Sequence, residues 1–245
     1  MNILSVSDIP SRALEALVLR SPEELKKIDL IISCGDLEKE YLEFLVDGLD
    51  RDILFVFGNH EYRWDREDYF GYEKESDIPV KKNATVKRIA GATDLHARVQ
   101  EINGYIFIGF GGSILYNGGK NQFSEKEMEK IVSRAIIKVR LEQFKMALLR
   151  KKVNGIIVLS HAAPFGINDQ NDPCHIGFKC FNNFIKEVSP MLWLHGHIHL
   201  QDMLRNQIAH SGLTTVLNTY GHKFIKIDGS KIEVAYTTDL FDTNR

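Results

Sequence analysis

Short apolar runs recur along this chain, and each ends abruptly in small or polar residues. The run 3–6 gives way to Ser7-Asp8, the run 30–32 to Ser33-Cys34-Gly35-Asp36, and the run 53–57 to Gly58-Asn59-His60. Residues 156–159 lead into Ser160-His161, and 191–194 into His195-Gly196-His197-Ile198-His199. Continuous runs of this length, rich in β-branched and aromatic side chains, predict strands buried on both faces. Amphipathic stretches at 14–19 and 41–49 fall between some of them. Alternation of strand and helix predicts an α/β fold with a largely parallel sheet.

The longest helix is predicted to start at Ser124, where Ser124-Glu125-Lys126-Glu127 has the order of a capping box. Met128, Ile131, Val132, Ala135 and Val139 then recur at helical spacing, and the pattern runs to about Arg150. Asn103-Gly104 and Asp228-Gly229-Ser230 each separate two apolar runs and predict hairpins. The helical block lies between two groups of strands that carry polar ends. One continuous domain over residues 1–245 is therefore expected.

Of 245 residues, 44% are hydrophobic and 26% charged, which fits a soluble globular chain rather than a disordered one. Lys and Arg total 31 against 33 Asp and Glu, for a net charge of −2. That balance argues against a broad basic footprint, so nucleic acid is not the favoured partner. The aromatic stretch 62–72 keeps base stacking open. Three cysteines imply no disulfide framework and point to a reducing, cytoplasmic setting. No apolar run approaches the ~20 residues needed to span a membrane, and a membrane partner is not expected. The oligomeric state is not legible.

The polar strand ends carry the candidate chemistry. In open α/β sheets, functional groups gather beyond the carboxyl ends of strands. Asp8, Asp36, Asn59, His161, His197 and His199 can therefore meet, although they lie far apart in sequence. Taken singly, each has a plainer role: Asp8 as a helix N-cap, Gly35-Asp36 as a turn, His161 as a loop histidine. Taken together and in order they point to a metal site. Mixed carboxylate, amide and imidazole donors suit Mn, Fe, Zn or Mg, and they exceed the needs of one tetrahedral zinc. His195 is expected to pack in the core or to hydrogen-bond in support of the site, and 61–82 to form a surface loop or short helix near the site.

Asp8, Gly35-Asp36, Gly58-Asn59-His60-Glu61, His161 and Gly196-His197-Ile198-His199 resemble the signature of the calcineurin-like metallophosphoesterases. The resemblance implies a four-layer α/β-β/α sandwich of two mixed sheets flanked by helices. It implies two divalent metal ions, with manganese the preferred guess. It also implies hydrolysis of a phosphodiester or phosphomonoester, the substrate being a small phosphate ester, through a metal-bridging hydroxide. Asp36 would bridge the metals, Asp8 and His199 would bind the first, and Asn59, His161 and His197 the second. His60 would be the catalytic acid or charge stabiliser. The family's first motif is Asp-x-His, whereas this chain reads Asp8-Ile9-Pro10. The first site is thus one ligand short, with His175, His222 and Asn218 as candidate replacements. A degenerate, non-catalytic scaffold is the alternative expectation.

Overall fold

The apolar runs form the strands that the pattern predicts, and they are distributed over two sheets. The computed structural model describes residues 1–60 and 89–241. The stretch 61–82, including its aromatic residues, falls outside the described residues.

The first half contains β1 (Asn2–Ser7), α1 (Arg12–Arg20), α2 (Pro22–Leu25), β2 (Leu30–Ser33), α3 (Lys39–Leu49), β3 (Ile53–Phe55) and β4 (Ala92–Asp94). β5 (Val99–Ile102), β6 (Tyr105–Phe110), β7 (Ser113–Ile114) and β8 (Gln122–Phe123) lead into α4 (Glu125–Leu148). β9 (Gly155–Ser160), α5 (Lys179–Val188) and β10 (Leu192–His195) follow. β11 (Ile208–Ser211), β12 (Thr214–Asn218), β13 (Gly221–Asp228), β14 (Lys231–Ala235) and a 310 turn at Thr238–Phe241 complete the described chain.

Each main sheet has six strands, in the orders β14-β13-β1-β2-β3-β4 and β11-β12-β10-β9-β6-β5. The central pairings are parallel and the outer hairpins antiparallel, so both sheets are mixed. The two sheets face each other across an apolar layer that includes Ile32, Leu54, Phe107, Leu159, Leu194 and Ile225. α1 and α3 cover the outer face of the first sheet through Leu14, Val18, Leu42 and Leu45. α4 and α5 cover the second through Val132, Val139, Phe181 and Phe184. This is the α/β-β/α layering expected from the motifs.

The Ser124 hydroxyl accepts from the Glu127 N–H, and the Glu127 carboxylate accepts from the Ser124 N–H. Removing that cap by Ser124→Ala costs about 1 kcal/mol. Trp193 anchors the layer beneath α4 and α5. It is fully buried against Phe110, Phe181 and Phe184, and its Nε1–H donates to Ser160 Oγ at 2.8 Å. Truncation of such a side chain to Ala costs roughly 3–5 kcal/mol. Because β1, β2 and β3 run parallel, as do β6, β9, β10 and β12, their carboxyl ends point to a common rim.

Candidate metal centre

Beyond β1 the chain turns sharply. Asp8 adopts φ 67°, and its N–H bonds the Gly35 carbonyl at 3.0 Å. The Asp8 carboxylate, wholly buried, then accepts from the His197 N–H at 2.9 and 3.1 Å. Asp36 and His197 also take positive φ, 58° and 66°. Such conformations cost side-chain-bearing residues of order 1–3 kcal/mol and persist where the surroundings enforce them.

Two glycines show what enforces them here. A Cβ on Gly58 would fall 1.9 Å from Asp36 Oδ1, and one on Gly196 would fall 2.7 Å from Asp8 Oδ2. Each carboxylate lies flat against a backbone that only glycine leaves open.

His161 sits at the centre and is fully buried. Its Nδ1 lies 2.8 Å from the Cys34 carbonyl, while its Nε2 lies 2.9 Å from Asn59 Oδ1 and 3.2 Å from Asp36 Oδ2. Both ring nitrogens thus face oxygen acceptors. A neutral imidazole has one N–H to give, so with Nδ1 donating to Cys34 O, Nε2 is left to a proton or a metal ion. Burial opposes the imidazolium, but the Asp36 carboxylate outweighs it and lifts the His161 pKa to about 9. Burial likewise opposes ionisation of Asp36, yet His161 and the His60 N–H hold its carboxyl well below the usual range.

The His197 ring packs 4.7 Å from the His161 ring. Burial and the neighbouring His161 charge press its pKa down to about 3. Its Nε2 is taken by the Cys174 carbonyl at 2.8 Å, which leaves Nδ1 for the rim. Ligand atoms of Asp36, His161 and His197 all lie within 4.8 Å of one another. Imidazole nitrogens beside an ionised carboxylate and an amide oxygen form a donor set suited to a divalent cation, which would take the place of the His161 proton.

The opposite flank is more open. His199 Nε2 lies 3.7 Å from Asp8 Oδ1, with 63% of its side chain exposed, and its ring packs 4.9 Å from Tyr220. The structure therefore gathers all six residues singled out by sequence. Pro10, two residues after Asp8, is exposed.

Each of the three candidate replacements has a partner of its own. His222 faces the Tyr236 carbonyl at 3.1 Å. Asn218 donates to Ile198 O and Gln207 Oε1 and accepts from the Tyr220 N–H. His175 packs 5.0 Å from the His197 ring. His60 is exposed, and its N–H donates to Asp36 Oδ1 at 2.9 Å. His195 is buried on β10 with its Nδ1 2.9 Å from Gly196 O, the core role expected for it.

One neighbour escaped the sequence reading, and a second sits differently from its expected place. The Tyr116 hydroxyl accepts from Asn59 Nδ2 at 3.2 Å and orients the amide oxygen toward His161. His175, a candidate replacement ligand, is half-buried, with Nδ1 2.9 Å from both Asp172 carboxylate oxygens. The Asp172-Pro173-Cys174-His175 spacing was the available signal for that pair.

A profile of the family described as Calcineurin-like phosphoesterase matches residues 1–201. No curated protein matches the chain in sequence. One solved structure aligns over 96% of this chain and 99% of its own, at 16% identity, with a TM-score of 0.61. TT1561 of Thermus thermophilus aligns over 96% of this chain and 97% of its own, at 17% identity and a TM-score of 0.57. GAP50, described as the anchor in the inner membrane complex of Plasmodium, aligns over 100% and 87%, at 11% identity and a TM-score of 0.54. At these identities the likenesses establish the shared fold.

Proposed function

The chain belongs to the calcineurin-like phosphoesterase family, and from that premise we propose that it is a metal-dependent hydrolase of a small phosphate ester, with phosphodiesters ahead of monoesters. The observation that carries this reading is the position of His161 Nε2, held between Asn59 and Asp36 oxygens at 2.9 and 3.2 Å. That arrangement of lone pairs calls for a cation. Asp36 is the carboxylate shared by two sites. Asn59, His161 and His197 complete a buried second site, while Asp8 and His199 hold a more open first site. Manganese is the preferred ion for this oxygen and nitrogen set.

Divalent cations bound there supply charge neutralisation at phosphorus and an acidified water as nucleophile. The chain's own residues do the positioning. Cys34 O fixes the His161 ring, Cys174 O fixes His197, and Tyr116 fixes the Asn59 amide. His60, exposed at the mouth and anchored through its backbone to Asp36, donates a proton or hydrogen bond to the ester. The described chain acts as one domain, since β13 and β14 complete the sheet that β1 to β4 begin.

Pro10 supports a second reading, a scaffold that keeps the fold without turnover. The test is hydrolysis of a chromogenic phosphodiester by the chelated protein and after addition of manganese. Metal-dependent turnover that disappears in Asp36→Asn supports the enzyme. Its absence with every divalent ion and pH tried leaves the scaffold.

A further inference from the structure

α4 carries two apolar stripes on opposite faces. One faces the core, through Met128, Ala135, Val139 and Met146. The other comprises Ile137, Leu141, Phe144 and Leu148, which are 59, 61, 69 and 73% exposed. At ~100° per residue these four lie within ~60° of one another, and their mean direction is ~170° from the buried set. Scattered apolar side chains on a surface need no explanation, but an ordered stripe over three turns does.

The flanks of the stripe are cationic. Arg134, Lys138 and Lys145 line one side, Arg140 the other, and Arg150-Lys151-Lys152 extend beyond its end, all exposed. Between residues 134 and 152 there is one carboxylate, Glu142, although the whole chain sums to −2. From neighbouring elements, Glu187 approaches Arg140 at 3.7 Å and Glu101 approaches Lys151 at 3.2 Å, and the excess remains positive.

The charge selects among possible occupants. Two copies paired antiparallel through the stripe would set Leu141 against Phe144 and, along one flank, Lys138 against Lys145, a like-charge contact. A nucleic-acid backbone would leave the Leu, Ile and Phe side chains uncovered. An anionic bilayer complements both features, since its acyl boundary takes the stripe and its headgroups take the flanks.

We propose that the outer face of α4, from Arg134 to Lys152, docks the protein peripherally on an anionic lipid surface. This differs from spanning, and no helix among the described residues is long and apolar enough to cross a membrane. The expectation of no membrane partner rested on the absence of a spanning run, a signal that an interfacial face does not produce. Asn121, four residues ahead of α4, donates to the Gly58 carbonyl and so ties the segment leading into the helix to the rim. α4 runs for ~36 Å beyond that segment.

The test is co-sedimentation of the full chain with phosphatidylcholine vesicles, with and without phosphatidylglycerol. The wild type should pellet only with the anionic vesicles, and less as salt rises. Leu141→Gln/Phe144→Gln should weaken partitioning at least ~10-fold, and Lys138→Gln/Lys145→Gln by ~10-fold or more. Both variants should melt within a few degrees of the wild type, because their side chains lie outside the core and the lysines lose only exposed contacts to Ala97 O and Glu142. Failure of the wild type to bind anionic vesicles overturns the proposal. So does a wild-type dimer in sedimentation velocity that Leu141→Gln/Phe144→Gln converts to monomer, because a second copy would then cover the stripe.

Discussion

His161 Nε2 stands 3.2 Å from Asp36 Oδ2 at the centre of the rim, and the two hold each other charged. A metal ion entering at Nε2 must displace the proton that burial resists and Asp36 retains. Binding at pH 7 should release about one proton, and apparent affinity should rise about tenfold per pH unit below 9. Calorimetry in buffers of different ionisation enthalpy measures this. Equal heats in all of them would falsify the assignment of His161 as a ligand.

The same pair makes the metal-free protein sensitive to alkali. The folded His161 pKa of about 9 lies above the ordinary ~6.5 of an unfolded chain. Its stabilisation is therefore full below pH ~6.5 and is lost as pH rises through 9. Melting temperature should fall across that window in chelated protein and stay level once manganese is bound. A flat profile without metal contradicts the ion pair.

The two halves of the centre should separate by mutation. Asp36→Asn should lose all bound metal, because it removes the shared carboxylate. Asp8→Asn should lose only the weaker, solvent-facing ion. With Pro10 in place of a ligand, titration of the wild type should resolve one tight and one weak site. Elemental analysis after gel filtration gives the count, and two ions retained in Asp36→Asn would refute the bridge.

Gly58→Ala places a methyl group 1.9 Å from Asp36 Oδ1. The carboxylate must move, and overpacking of this kind costs about 1–3 kcal/mol. Metal affinity should drop at least ~10-fold while the chain stays folded. Unchanged affinity shows that the Gly58 backbone does not set the carboxylate's position.

His60→Ala should lower turnover by about 10²–10⁴ with metal content unchanged. Loss of metal in that variant, or full activity, removes His60 from its assigned role.

Much of this was legible because strands buried on both faces leave long apolar runs, and each run here stops at a ligand. The six rim residues, the capped helix and both hairpins follow from that. β4, β11 and β12 were not read. β4 is three half-buried residues, and β11 alternates exposed and half-buried ones, so neither writes a strong pattern. Tyr116 and His175 reach the rim from loops, whose paths periodicity does not encode. The outer stripe of α4 was hidden for another reason: two opposed apolar faces blur the helical contrast that reveals one.

Strand β1, which carries Asp8, is enclosed on one side by β13, with Asn2 opposite Lys226 and Ser7 opposite Gly221. During synthesis that edge therefore waits, unpaired, until more than two hundred further residues have emerged. The nascent chain cannot close its first sheet early, and such distant pairing is slow and exposed to misassembly. A ribosome-bound fragment ending before β13 should capture chaperones, and truncation at Asn218 should cost solubility even though every rim residue is still present.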